Sequence, residues 1–269
     1  MADGTKKKSH FGYFPARLLW AIEPIVQHHR NTEMVRMLDG NVFLAPSQSG
    51  GALIGAVHGH AMAVFHAPDA YCSGPMTLDI PDAAFAAAEP PAPVCFNYCG
   101  SHYHAEVPEW MQPGTCFVHD AGIFIQPKMR HPQWAGEDNE FQPCLFQRTS
   151  SVGTHTIGAD FRLKEGSPID WRKALALAVS DTTAPAGDVL AFSPQLVNLF
   201  SRIEDMCWDE SPEDRPRTFH RATGNGGKPG AIVLTIEGRP DFVGLYMPMK
   251  MTEPQSVSWS FLHEEKANG

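Results

Sequence analysis

The sequence predicts an α+β fold assembled from recurring units, each a strand and a helix followed by further strands. Three observations carry that expectation. Apolar residues recur at helical spacing near both ends of the chain, in "FPARLLWAIEPIVQHHR" (14–30) and "FSPQLVNLFSRIEDM" (192–206). Short apolar runs punctuated by Gly, Asp, Asn and Pro surround them, the pattern of hairpins. The same succession comes back along the chain; residue identity between the copies is low, so the repeat rests on element order.

The elements follow in order. Residues 1–10 read as a tail with a Lys6-Lys7-Lys8 cluster. The first helix carries Leu18, Leu19, Ile22, Ile25 and Val26 on one face, with Pro15 suited to its first turn and Pro24 expected to kink or shorten it. "MVRML" (34–38), "NVFLA" (41–45) and "ALIGAVHGHAMAVF" (52–65) read as strands divided by "DGN" and "SGG". "MTLDIPDAAFAAAEPP" (76–91) reads as a strand entering a short helix, started at Pro81-Asp82 and stopped at Pro90-Pro91. "VCFNYCG", "HYHAEV", "TCFVHD" and "GIFIQPK" continue as strands, and 129–160 reads as a long loop or insertion. In the last third, "GDVLAF" is a strand, Ser193 a helix cap and Pro194 the first turn of a helix that buries Leu196, Val197, Phe200 and Ile203. Residues 209–230 read as a polar loop, and "AIVLTIEG" with "DFVGLYMPMKM" as a hairpin across "RPD".

Composition bounds the function. A chain of 269 residues with 43% hydrophobic and 19% charged residues can bury a substantial core. No apolar run approaches the ~18 residues of a membrane span, and "MADGTKKKSH" lacks the apolar centre of a signal peptide, so a cytoplasmic protein is expected. Six cysteines, with Cys95 and Cys99 in no standard zinc spacing, read as reduced thiols. The net charge of −9 argues against a small basic reader of nucleic acid, but is compatible with a few bases gathered on one face. There is no G-x-S-x-G, no P-loop and no G-x-G-x-x-G; "GNGGKPG" (224–230) lacks phosphate-loop spacing.

Four stretches, in order, resemble the bacterial sliding clamp, the β subunit of DNA polymerase III. "AVHGHAMAV" (56–64) is similar to the family's "ATDGHRLAV" hairpin and "LYMPMKM" (245–251) to its closing "VMPMRL" strand. "FSPQLVNLFSRI" (192–203) is similar to a clamp helix entry, and "GSPIDWRKAL" (166–175) to a domain exit. The resemblance implies a DNA clamp fold with sheets outside and helices lining an inner face. Its two clamp-type domains would be 11–177, with the insertion near 129–160, and a shorter 178–251, bounded near 177–187 and followed by a tail at 252–269. It implies a DNA replication processivity factor of phage type, with no catalytic activity and no cofactor. Partners would be double-stranded DNA and a DNA polymerase or other proteins bearing clamp-binding peptides. A homo-oligomeric ring, a trimer favoured, would encircle the duplex.

Carried over by position, the resemblance places a partner-peptide pocket between Val57, His60 and Met62 on one wall and Met247, Pro248 and Met249 on the other. Methionine suits an adaptable apolar site. Where the family has aspartate, arginine and a final arginine, this chain has His58, Ala61 and Lys250. The plainer reading of Met62 and Met247 is ordinary core. Helices lining a ring touch phosphate alone and need bases without a base-reading code; the candidates are Arg17, His28, His29, Arg30, Arg172, Lys173 and Arg202, which read equally as solvated helix faces. A non-encircling clamp mimic fits the same residues. The rival reading is a cupin-like metal enzyme. His102 and His104 at i and i+2 share one face of a strand, and Glu109 with His119 could complete an open metal site.

Overall fold

Two of the recurring units exchange their first strands and a third does not. The computed structural model describes residues 9–30, 42–91, 94–98, 101–105, 112–128, 155–157, 161–165, 173, 182–185, 194–208, 217–223 and 229–247. Unit one is β1 (Phe11–Pro15), α1 (Ala16–Arg30), β2 (Val42–Pro46), β3 (Ala52–His58) and β4 (Ala61–Ala67). After a short β5 (Tyr71–Cys72), unit two is β6 (Met76–Asp79), α2 (Asp82–Ala88), β9 (Pro113–His119), β10 (Gly122–Pro127) and β11 (His155–Ile157). A hairpin of β7 (Val94–Tyr98) and β8 (Ser101–Ala105) sits within it, and β12 (Arg162–Glu165) follows. Unit three is β13 (Thr182–Pro185), α3 (Pro194–Asn198), α4 (Ser201–Trp208), β14 (Arg217–Thr223), β15 (Pro229–Ile236) and β16 (Phe242–Tyr246).

The strand order shows the exchange. One sheet runs β11-β10-β9-β1-β5, so the first strand of unit one flanks unit two; the other runs β12-β6-β2-β3-β4-β16-β15-β14-β13, so the first strand of unit two flanks unit one. In unit three β13 pairs with β14 of its own unit. Unit three joins unit one through β4 and β16, antiparallel from Ala61↔Tyr246 to Phe65↔Phe242. The fold is α+β with antiparallel sheets, as expected, and the β15–β16 hairpin forms across "RPD" as expected; the run 52–65 is two strands, β3 and β4, turning at Gly59-His60, where the resemblance to "ATDGHRLAV" implies a hairpin. The expected domain boundary falls partly on β13 and partly outside the described residues.

The core explains the elements. Leu18, Leu19, Ile22, Ile25 and Val26 of α1 are all buried, against β3 and β4 of one sheet and β1 and β9 of the other. α2 and α4 flank α1. On β1, Gly12 and Phe14 face inward while Phe11 and Tyr13 face out, the period of two of a strand. Across β2, β3, β4 and β16 the nine-stranded sheet is apolar on both faces. Its outer face holds a second cluster of Phe43, Ala45, Met62, Val64, Val233 and Leu245. Gly55 of β3 admits no side chain, since a Cβ there would meet Ala63 O and Phe43 Cζ, each at 2.4 Å.

The structure corrects several expectations. Pro15 ends β1 instead of opening the helix. Pro24 does not shorten α1: the helix runs fifteen residues through it. Proline lacks the N–H that would bond the Trp20 carbonyl four residues back; Arg202 Nη1 of α4 donates to that oxygen instead, at 3.3 Å. The single helix expected at 194–206 is two, with a turn at Leu199–Phe200. There the backbone makes i→i−3 bonds, Leu199 N to Leu196 O and Phe200 N to Val197 O. That tightening presses Phe200 onto Gly244, where a Cβ would lie 2.9 Å from its ring. The polar loop expected at 209–230 contains β14, and β12 and β13 are further unexpected strands. Within 129–160, residues 155–157 form β11 on β10. "MVRML", "GDVLAF", the Ser193 cap, residues 1–8 and the tail at 252–269 lie outside the described residues, while Ser9 and His10, read as tail, bond to His119 and Asp120.

Candidate functional site

The β4–β16 seam brings together two stretches far apart in sequence. The β3–β4 hairpin turns at Gly59-His60, and Val57 pairs with Met62 across it. Met62 in turn pairs with Leu245 of β16. One residue past the strand, Met247 N donates to His60 O at 2.8 Å. By the alternation of a strand, 243, 245 and 247 form one row, beside Val57 and Met62. Met62 is 5% and Leu245 7% exposed, whereas Met247 is 44% exposed and His60 is exposed too. Met62, Leu245 and Val64 thus lie buried along the seam, with Val57, His60 and the exposed Met247 as a more open rim beside them. Pro248 and Met249 lie outside the described residues. Sequence reasoning missed Leu245 and Val64; period-two spacing from Met247 and from Met62 would have found both.

The seam is sealed from within by aromatic rings. Phe65 of β4 lies 5.0 Å from Phe242, which is 6.5 Å from Phe200; Phe200 is 5.8 Å from Tyr246. Such pairs add about 0.5–1.5 kcal/mol each beyond the area they bury. They hold the hairpin and β16 in register, and with them the rim residues.

His58 differs from His60 in burial. It is buried, 4% exposed, with its ring 4.7 Å from that of His28 on α1 and 5.8 Å from that of His60. Its Nδ1 accepts the His60 backbone N–H at 3.2 Å, so a neutral His58 carries its proton on Nε2. That hydrogen bond shapes the turn at the rim.

The residues expected to face phosphate are scattered in role. Arg17 is exposed on α1. Arg202 is engaged by α1: it forms an ion pair with Glu23, donates to Trp20 O and lies 5.4 Å above the Trp20 ring. His28 packs on His58. Lys173 is exposed; Arg172 and the side chains of His29 and Arg30 lie outside what is described. Along the helices three arginines stand against Glu23, Asp82, Glu204 and Asp205, and Gln27 Nε2 donates to Asp82 Oδ1 at 2.9 Å. The helical layer therefore carries no net positive charge of its own.

The candidate metal ligands are split between separate sheets. His102 and His104 lie on β8 of the separate two-stranded sheet, opposite Asn97 and Cys95, and Glu109 lies outside the described residues. His119 is on β9 of the five-stranded sheet, with Nδ1 accepting the Ala121 N–H at 3.3 Å and Nε2 at 3.2 Å from Ser9 Oγ. Among the described residues no group of three His, Cys, Asp or Glu is placed to hold a metal ion. Cys72 and Cys116 are buried thiols, and burial pushes the Cys116 thiol far up, away from any reactive thiolate.

No family model matches the sequence, and no curated protein matches it. Among solved structures the chain is similar to the β subunit from DNA polymerase of Streptococcus pyogenes, at 11% identity and a TM-score of 0.39, covering 89% of this chain and 65% of that one. It is similar to the DNA polymerase III β chain from Streptococcus pneumoniae at 13% identity, a TM-score of 0.39, and 89% and 64% coverage. A third is DNA polymerase III subunit beta from Borrelia burgdorferi, at 11%, 0.38, and 89% and 63%. The chain thus spans a little under two thirds of the length of these proteins. Among the described residues no helix is long and apolar enough to cross a membrane.

Proposed function

We propose that this protein is a sliding-clamp-like processivity factor without catalytic activity, which docks partner peptides in the groove at the β4–β16 seam and associates with duplex DNA. The observation that carries the reading is the meeting of "AVHGHAMAV" and "LYMPMKM", joined by the Met247 N to His60 O hydrogen bond. These are the two stretches that resemble the clamp's peptide site. An apolar floor with an exposed methionine at its rim suits a short peptide with leucine and phenylalanine side chains. The partners would be a polymerase or other replication proteins carrying such a peptide. A homo-oligomeric ring, a trimer favoured, would hold the duplex by Arg17 and Arg30, in the cytoplasm.

Fluorescence anisotropy with a labelled peptide in which glutamine precedes leucine and phenylalanine tests the groove. Binding in the micromolar range is expected, since a flexible peptide loses ordering entropy on docking. It should change little with salt, because the groove is mostly uncharged. Met247→Asp, at an exposed position, should abolish it in a folded protein while leaving DNA association nearly intact. Unchanged affinity in that variant would remove the proposed site. Retention on circular but not linear DNA separates a ring from a mimic that captures peptides without encirclement.

A further inference from the structure

The β3–β4 turn is held by two hydrogen bonds that meet on one residue. The His60 N–H donates to His58 Nδ1 at 3.2 Å, and His60 O accepts the Met247 N–H at 2.8 Å. The first bond fixes the turn, and the second fixes the chain leaving β16 against it. Where the similar clamp stretch "ATDGHRLAV" carries aspartate, this chain carries His58. An aspartate accepts the N–H two residues on in an Asx-turn and stays ionised through the neutral range. An imidazole accepts that bond only while Nδ1 is bare, and histidine is the side chain that changes charge between about pH 5 and pH 8. The replacement exchanges a permanent acceptor for a titratable one.

The neighbours of the ring decide what a proton would do there. α1 brings the His28 imidazole to within 4.7 Å of it, and the turn brings His60 to 5.8 Å. β4 places Ala61 opposite His58, and β16 places Tyr246 beyond Ala61. The acids of α1 and the helices flanking it are Glu23, Asp82, Glu204 and Asp205; Glu23 is paired with Arg202, and Asp82 accepts from Gln27. The neutral His58 ring carries its proton on Nε2, so a second proton goes to Nδ1. The ring then turns an N–H towards the N–H of His60, and the bond is lost. The new charge also lies beside two further imidazoles, each of which repels it when protonated.

We infer that His58 is a pH-sensitive latch on the β3–β4 turn, whose protonation frees His60 and loosens the Met247 rim of the groove. The effect on peptide rests on the groove reading; the latch rests on the turn alone. The turn is closed while His58 is neutral, towards the upper end of the range. It opens, and peptide affinity falls, as the pH drops and the ring gains its second proton.

The test is NMR of the isotope-labelled full chain, titrated from about pH 8 to about pH 5. The readouts are the imidazole nitrogens of His58 and the amide protons of His60 and Met247. His58 should pass from the Nε2–H tautomer to the doubly protonated ring. The His60 amide proton should move upfield on the same curve as its acceptor is lost, with the Met247 amide following. His60→Gln removes the neighbouring titration, and the amide at position 60 should still move. His58→Asn supplies an oxygen that accepts the same bond without titrating, and both amides should then hold still. The parent and His60→Gln titrations read the latch even if His58→Asn does not fold. In parallel, the peptide in which glutamine precedes leucine and phenylalanine should bind the parent about fivefold more weakly at the low end, in line with the loss of one ordinary hydrogen bond. Its affinity for His58→Asn should not change with pH. A His58 ring that stays neutral, amides that do not follow it, or amides that move equally in His58→Asn would each overturn the latch. Amides that follow His58 while no peptide binds at any pH would support the latch and remove the groove. Amides that follow it while a bound peptide keeps one affinity would overturn the coupling of turn to rim.

Discussion

Units one and two differ from unit three in how they close. In the first pair each sheet is completed by the other's first strand, β1 beside β9 and β6 beside β2. Neither sheet exists without both units, and α1 spans the two with one face of five buried apolar residues. Unit three pairs its first strand with itself and meets unit one along one ladder, the aromatic chain from Phe65 to Tyr246, and the α1–α4 contact. Interlocked units are expected to unfold together, whereas a unit attached along one seam can open locally. The candidate groove straddles that seam, so its two walls persist only while unit three stays docked.

The largest effect should come from breaking the interlocked part. Phe14 is fully buried on the exchanged strand β1. Phe14→Ala should cost about 3–5 kcal/mol, the range for a core phenylalanine, in urea denaturation followed by fluorescence. Hydrogen exchange should then rise across β1–β11 as a block. Phe200→Ala, also buried, should raise exchange chiefly in β14–β16 and weaken peptide binding. If both variants loosened the same residues equally, the distinction between the units would fail.

A smaller effect should follow at the clasp between α1 and α4. Arg202→Met keeps most of the side chain's length and removes its bonds to Glu23 and Trp20 O. Hydrogen bonds to charged groups contribute about 1.5–3 kcal/mol, but the two side chains are 30% and 19% exposed and partly screened. A loss of about 1–2 kcal/mol is expected, seen as faster exchange in α4. Arg202→Lys should recover part of it, since lysine supplies charge without the planar fork.

These contrasts follow what the sequence makes legible. The apolar stripe of α1, the short helix at 82–88 and the β15–β16 hairpin across "RPD" are local patterns, readable from spacing and turn residues; the turn at Gly59-His60 was legible through resemblance alone. Strand exchange is not, because which remote strand completes a sheet depends on pairing between distant segments. β14 escaped because Arg217, His220 and Arg221 give it the polarity of a loop, while its place between β13 and β15 is set by the sheet. The break at Leu199–Phe200 depends on the space over Gly244. At the groove, the rim residues were legible through resemblance; the floor at Leu245 and Val64 needed the β4–β16 register. Arg202 was read as a phosphate contact because nothing near it in sequence announces Trp20, 182 residues away.

Pro24 gives the finest test of that clasp. Its missing N–H leaves the Trp20 carbonyl to Arg202, so the proline in α1 and the arginine on α4 are coupled through one oxygen atom. Pro24→Ala supplies the helical donor and removes the ring's crowding of that carbonyl. In an isolated helix such a change would stabilise by about 3 kcal/mol. Here the gain should be under about 1 kcal/mol, because the helix already runs unbroken and the oxygen already has a donor. The informative quantity is the double-mutant cycle. In the Pro24→Ala background, Trp20 O keeps a partner when Arg202 is lost, so Arg202→Met should cost roughly 0.5–1 kcal/mol less than in the parent chain, within the usual range for residues sharing a partner. Identical costs in the two backgrounds would mean that Arg202 holds α4 to α1 through Glu23 and the Trp20 ring alone.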